Sequence, residues 1–416
     1  MDLMKTHLPV IQIIDVTNRD GVQAARLVVS KLSRTMINLY LDEMGIYQSE
    51  LGFPTLNHEQ NYINANLALA ERGVIKRLQF QGWCRATEED VTLAFENCPG
   101  LKHINLSVPT SDIIIHGKFQ GRKQWDNLLD DALVSLKKAR ALGAETVGLG
   151  ALDASRTDIH RLVDFALAVQ ENGATRFRYS DTLGLESPFS IAEKAAVIIQ
   201  KIQIPIEFHC HNDLGMAIAV SAAGAVIAAS SGADAFINTT INGYGERAGN
   251  CDLVSTLLAF RYCPDFKHKA ILDDYIDLTM SWKLARYTAS AFGLSIPLNQ
   301  PAVGVNVFAH ASGIHADAML KNRRNYELYS PEDVGRGEPE TIETGRLITT
   351  GPYAGIKGLR YVYENLGIIL QNDKEARHIL KLVQLATLHN RKPLTDDELK
   401  FIAKFPDIAW QLVRVG

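Results

Sequence analysis

The chain holds only five cysteines in 416 residues, Cys84, Cys98, Cys210, Cys251 and Cys263, and no two of them stand in CxxC spacing. An odd, scattered set excludes a disulfide framework and points to a reducing compartment, the cytoplasm. A dominant charge is missing as well. The 43 basic and 47 acidic residues are interspersed, for a formal net charge of -4, so there is no basic field to condense on nucleic acid or on an anionic membrane. Strongly apolar runs are absent too. The longest uncharged stretch, Leu214 to Ala233, is mostly Ala, Gly and small residues and includes Ser221, Ser230 and Ser231, which reads as a buried helix rather than a membrane span. Met1 to Val10 carries Asp2, Lys5 and His7 and lacks the apolar core of a secretory leader.

What is present is an ordinary globular composition, 46% hydrophobic and 22% charged. Short apolar or β-branched runs recur about every 30 residues, each followed by a segment of helical period, the alternation of βα units. The predicted strands are Val10–Asp15, Tyr47–Leu51, Leu78–Trp83, His103–Val108, Thr146–Gly150, Arg176–Tyr179, Ile206–His211 and Ala235–Thr240. Eight such units fit a closed (β/α)8 TIM barrel, an α/β fold whose functional groups sit at the C-terminal strand ends. An open doubly wound sheet is less well supported, because no GxGxxG follows the first strand. We place the barrel at residues 1–265 and a helical C-terminal annex at 266–416. Within the annex, Ile271–Phe292, Lys357–Leu370 and Asp373–Thr387 read as helices, and a last one starts at Thr395 with Glu398 completing a capping box.

Four clusters carry chemistry. The first strand runs into Asp15-Val-Thr-Asn-Arg19-Asp20-Gly21, and the seventh carries His209-Cys-His211-Asn-Asp213. Residues at i and i+2 of a strand point the same way, so both imidazoles face the barrel interior. One HxH alone is more often two packed histidines. In a closed barrel, however, only the eighth strand separates the first from the seventh, so Asp20 can complete a set of two imidazoles and one carboxylate, suited to a divalent ion with open positions. The third cluster is Asn242-Gly-Tyr-Gly-Glu246-Arg247-Ala-Gly249-Asn250, which by itself reads as a tight turn with a surface ion pair. The fourth, Phe308-Ala-His310-Ala-Ser-Gly-Ile-His315-Ala-Asp317, lies in the annex, where spacing alone cannot locate it.

Together with Gly52-Phe53-Pro54 and Asp181-Thr182-Leu-Gly184, these motifs resemble, in order over about residues 10–335, the isopropylmalate, homocitrate and citramalate synthases. That resemblance implies a C-acyltransferase performing a Claisen condensation of acetyl-CoA, the co-substrate, with a 2-oxo acid, followed by thioester hydrolysis. It further implies that Asp20, His209 and His211, with Asn250 as a fourth ligand, bind a divalent metal (Mn2+, Mg2+, Co2+ or Zn2+). Arg19 would stabilise the developing alkoxide, and Thr182 would hold a substrate carboxylate. His315 would reach the site from a neighbouring subunit to help remove the acetyl proton, which makes a homodimer with shared active sites the expected assembly.

The chain also departs from that pattern. Leu152 stands where the family carries the glutamate that assists the histidine, so His315 works without it or another acid, such as Asp317, substitutes. Gly148 stands where homocitrate synthases place an arginine for the far carboxylate. Strand alternation puts Arg178 beside Glu207 below the metal as a buried pair with a structural role. It also turns Gln81 and Arg85 inward as substrate contacts, and with Ser49 they make the pocket polar. A small polar acceptor, oxaloacetate, fits best. The segments DVTNRDGVQ and YQSELGFP are similar to the Re-type citrate synthases of this superfamily. Isopropylmalate, citramalate or homocitrate synthesis, and hydroxyacyl-CoA carbon–carbon lysis, are the alternatives.

Overall fold

The computed structural model describes residues 9–267, 271–272, 275–337 and 348–414. Its eight principal strands are β1 (Val10–Asp15), β2 (Gln48–Gly52), β3 (Gln79–Arg85), β4 (His103–Pro109), β5 (Thr146–Leu152), β6 (Arg176–Asp181), β7 (Ile206–Cys210) and β8 (Ala235–Thr239). All are parallel to their neighbours, and β1 closes the ring. Its Ile14 and Asp15 lie opposite Gln48 and Ser49 of β2, while Ile11 to Asp15 lie opposite Ala235 to Thr239 of β8. The eight predicted strands are all present, with ends shifted by a residue or two.

The strands alternate because their two faces meet different surroundings. Ile11, Ile13, Ile104, Leu106, Val147, Leu149, Phe177, Tyr179, Ile206, Phe208 and Ile237 are all buried in one continuous apolar cluster that also takes in the surrounding helices. The opposite face is different. Its apolar content is a small separate cluster of Ile14, Val16 and Phe236, with Tyr47 packed against it, and buried polar residues such as Gln48, Glu50, Gln81, Asn105, Arg176, Arg178, Glu207, His209 and Asn238 occupy the same sides of their strands. The interior is therefore mainly polar, which is unusual for a barrel core. The uncharged run from Leu214 forms helix Ala217–Ser230, and a Cβ at Gly224 would stand 2.6 Å from the Phe208 ring, so the absence of a side chain there lets the helix lie close on β7. No helix among the described residues is long and apolar enough to cross a membrane.

The annex departs from expectation at its start. Ile271–Leu272 is a short strand, β9, beside Val10 and Ile11 of β1, and the helix begins only at Ser281, running to Phe292 and stopping at Gly293 with φ 68°. Helices Ile356–Asn365 and Asp373–Asn390 match two predictions, and the Thr395–Glu398 capping box opens helix Asp396–Lys404. A further helix, Pro406–Val413, follows it. These helices dock on the outside of the barrel. Tyr40 donates to Asp397 at 2.9 Å and Arg72 pairs with Asp407, while within the annex Tyr287 donates to Glu398 at 2.7 Å.

Asp15, at the end of β1, is fully buried and accepts from the Thr17 amide at 3.0 Å. Burial pushes its carboxyl up to about 7, with the Thr17 hydrogen bonds opposing only in part. The folded chain thus keeps this proton to about pH 7, whereas the unfolded chain releases it near the ordinary value of 3.8. The contribution is fully present below that value and is lost as the pH rises through 7, to a limit of about 4 kcal/mol. Urea unfolding at pH 5 and pH 8 should therefore show a smaller loss of stability in Asp15→Asn than in the unaltered protein. An equal loss would show that the carboxyl ionises freely in the fold.

Candidate metal centre

At the C-terminal mouth of the barrel the chain after β1 turns back, placing Arg19 and Asp20 over the ends of β7 and β8. Asp20 Oδ2 lies 3.2 Å from His209 Nε2 and 3.6 Å from His211 Nε2. One ligand atom from each of the three residues falls within 4.8 Å of the others. The imidazole planes are nearly perpendicular, at 83°. β7 ends at Cys210, so His211 sits one residue beyond the strand. A bridge to Asn250 holds it, with its amide donating to the Asp181 carbonyl at 3.2 Å. The Asn242–Asn250 loop thereby joins the site, and its Arg247 grips Asp213 at 2.9 Å.

Electrostatics set the three groups up as ligands. Burial opposes ionisation of Asp20, but Arg19 at 3.0 Å and the two imidazoles outweigh it and hold the carboxyl well below its usual range. Burial, and then the neighbouring His209, push His211 down to about 4, so it is neutral at physiological pH. Asn250 Nδ2 donates to Asp20 Oδ2 at 2.8 Å, while Asn250 Oδ1 and His211 Nδ1 are buried with no hydrogen-bond partner among the described residues. A carboxylate, two imidazoles and an unsatisfied amide oxygen fit a divalent cation.

Beneath these residues lies a continuous chain of charges. Arg19 Nε donates to Glu50 Oε2 at 2.5 Å, and Arg178 Nη2 donates to Glu50 Oε1 at 2.7 Å. Arg178 Nε donates to Glu207 Oε1 at 2.7 Å, so the predicted Arg178–Glu207 pair is present. Asn238 Nδ2 also donates to Glu207 Oε1, at 2.7 Å, and its Oδ1 lies 3.0 Å from His209 Nδ1. Arg19, Asp20, Glu50, Arg178, Glu207, His209 and Asn238 are each at most 7% exposed. Burial works against both Glu50 and Arg178, yet their opposite charges keep the carboxyl low and the guanidinium high. Sequence reasoning misses Glu50 and Asn238: alternation extended to strand eight finds Asn238, whereas at strand two the phase that puts Ser49 in the pocket hides Glu50.

Three expected pocket residues lie elsewhere. Ser49 faces the helices, donating to Asn38 Oδ1 at 2.9 Å, and it is its neighbour Glu50 that points inward. Gln81 is inward but fully enclosed a layer lower, accepting from Arg176 Nη2 at 2.9 Å. Arg85 bends out over the rim, its side chain 64% exposed, because Asp90 in the first turn of helix Glu88–Asn97 offers a carboxylate at 2.6 Å. Thr182 stands at the end of β6, half-buried, and its hydroxyl accepts from the Asp153 amide at 2.9 Å. Leu152 ends β5, and Asn105 fills the space over Gly148, where a Cβ would come within 2.5 Å of its Oδ1. His315 lies on the short helix Gly313–Lys321, exposed, stacked on Tyr326 at 4.0 Å between ring centroids. Asp317 pairs with Lys321 at 2.6 Å, and the acid near this histidine pair is Glu327, 3.8 Å from His310.

Residues 10–286 match the HMGL-like family, and residues 302–390 match the homocitrate synthase post-HMGL domain-like family. The chain belongs to the HMGL-like family. Over 404 residues it is 55% identical to the citrate (Re)-synthase of Dehalococcoides mccartyi (strain CBDB1), covering 97% of each chain. It is 36% identical to 2-isopropylmalate synthase 2 of Caldanaerobacter subterraneus subsp. tengcongensis, covering 94% of each. Among solved structures, hydroxymethylglutaryl-CoA lyase from Pseudomonas aeruginosa superposes with a TM-score of 0.56 at 15% identity, covering 70% of this chain and 95% of that one. At that identity the likeness is one of fold.

Removing Arg178 leaves two buried carboxylates without their shared partner. Arg178→Met should lower unfolding stability in urea by about 3–5 kcal/mol, whereas Arg85→Ala, at the exposed rim, should cost less than about 1 kcal/mol. Equal effects would show that the interior chain carries no more than a surface pair does.

Proposed function

We propose that this chain is a citrate synthase of the Re type, condensing acetyl-CoA with oxaloacetate with a divalent ion at Asp20, His209 and His211 and with Asn250 as a further donor. The observation that carries this reading is the 55% identity to the citrate (Re)-synthase along 97% of both chains, together with a candidate three-ligand site in this chain. A bound ion, Mn2+, Mg2+, Co2+ or Zn2+, supplies Lewis acidity to the keto oxygen.

The residues do the remaining work. Arg19 is held by Asp20 and Glu50, with its guanidinium carbon 5.7 Å from the Trp83 ring centroid. There it stabilises the oxygen that gains charge as the carbonyl electron pair moves onto it, a contribution of a few kcal/mol in a dry site. Thr182 accepts from the Asp153 amide at 2.9 Å, and its hydroxyl proton, which makes only a long 3.5 Å contact to the Ser180 carbonyl, turns to a substrate carboxylate. His315 of a second copy takes a proton from the acetyl methyl group. The methyl carbon then bonds to the keto carbon, and water cleaves the thioester, releasing CoA.

A second copy is part of the proposal because helix Gly313–Lys321 buries no residue, and Ile314 and Leu320 on it are 76% and 91% exposed. The annex, residues 266–416, serves as dimer surface and active-site cover. The five free cysteines, four of them buried, suit operation in the cytoplasm.

Two measurements test this. After chelation, free-CoA release should vanish and return on adding Mn2+ or another divalent ion, with oxaloacetate preferred over pyruvate, 2-oxoisovalerate and 2-oxoglutarate; preference for any other acceptor removes the citrate reading. Mixed dimers of Arg19→Ala and His315→Ala should regain activity that neither variant has alone, and no recovery would exclude shared sites.

A further inference from the structure

We propose that Glu207 and Asn238 are positioning residues, which fix His209 as a lone-pair donor at the metal site and tie it through one buried chain to Arg19. This rests on the metal reading above. Glu207 is fully buried and, as a carboxylate, only accepts; the atom of Asn238 facing it at 2.7 Å must therefore be the amide nitrogen. The Asn238 oxygen then has to face His209 Nδ1, at 3.0 Å. An amide oxygen has no proton to give, so Nδ1 carries the hydrogen, which leaves Nε2 as the ring atom that can bind a cation.

Nε2 lies 3.2 Å from Asp20 Oδ2, so the ring atom left free by the Asn238 contact is the one turned toward the carboxylate, where a bound cation would take both. The charge on Glu207 thus reaches the metal site through a neutral relay, without touching the ion.

The same carboxylate works in the other direction. Glu207 Oε1 also takes Arg178 Nε at 2.7 Å, Arg178 takes Glu50 at 2.7 Å, and Glu50 takes Arg19 at 2.5 Å. Arg19 returns to Asp20 at 3.0 Å, which closes a ring of seven buried side chains. Arg176 Nε, 3.3 Å from Glu207 Oε2, steadies the carboxylate from below. The cation site and the arginine aimed at the substrate are therefore set by one interlocked unit, and loosening either end slackens the other.

The test uses the full-length protein and Mn2+ alone, by calorimetric titration, with His209 followed in 15N-histidine spectra that report which ring nitrogen bears hydrogen. Asn238→Ala and Glu207→Gln should each raise the Mn2+ Kd roughly 10- to 100-fold and let His209 populate the other tautomer, while Asn238→Gln, which keeps the amide, should recover part of the affinity. Glu207→Gln preserves shape and covers the case in which Asn238→Ala fails to fold. Folded variants with unaltered Kd and the same Nδ1–H tautomer would overturn the proposal and leave the metal reading intact. Failure of the unaltered protein to bind Mn2+ would overturn both.

Discussion

The interior of this barrel holds charges away from water, and the rest of the site follows from how they are kept paired. Glu50, Arg178 and Glu207 are at most 2% exposed. A buried ion without a partner is strongly destabilising, and even a paired one gains little over an apolar replacement. The pairing is therefore better understood as the means by which the chemistry is held in place than as a source of stability. Stability has its own source in the apolar layer between strands and helices, which is separate from the small interior cluster of Ile14, Val16 and Phe236. This division lets the strands present polar groups inward without weakening the fold.

Room for those groups comes from small residues on β5. A Cβ at Gly150 would sit 3.4 Å from the Arg178 side chain, and one at Gly148 would press on Asn105. With glycine at two successive inward positions of that strand, the long guanidinium of β6 can cross toward Glu50 on β2. The position at which homocitrate synthases carry a substrate-binding arginine thus becomes, in this chain, space for Asn105 beside an interior arginine that is already fully engaged by protein carboxylates. A second long carboxylate arm on the substrate finds no free cation at that level among the described residues, which favours a short acceptor.

Much of this is legible in the sequence, for a physical reason. A strand has period two and a closed barrel fixes which strands are neighbours, so spacing alone brings together His209, His211, Asp20 and the Arg178–Glu207 pair. The same rule fails where its conditions lapse. At β2 the phase is the other one: Glu50, not Ser49, faces inward, on a strand whose register with β3 shifts between Glu50 and Gly52. At Arg85 the strand is ending, and a local carboxylate, Asp90, overrides the direction set by the pleat. Gln81 points inward as expected, yet depth along the strand axis, which alternation does not encode, puts it below the site. In the annex, helix periodicity finds Asp373–Asn390 but not the strand at Ile271–Leu272, because β9 exists only through its pairing with Val10 and Ile11, far away in the chain.

The segment around His315 stands apart from the ligand residues of the barrel mouth. Its contacts are local: His315 stacks on Tyr326, His310 neighbours Glu327, and Asp317 closes on Lys321. No polar contact ties any of them to Asp20, His209 or His211 among the described residues. The helix that carries His315 has no buried side chain, yet it displays Ile314 and Leu320 to solvent. An isolated helix of nine residues lacks the length to persist in water on its own hydrogen bonds, so its apolar face needs cover from outside the segment. A second copy of the chain would provide that cover. It would also carry an exposed imidazole, backed by an aromatic ring and a nearby acid, to a barrel mouth where the described residues supply a cation site and an arginine. On the proposed reading Leu152 would matter less, because Glu327 lies 3.8 Å from His310 on the segment that carries His315.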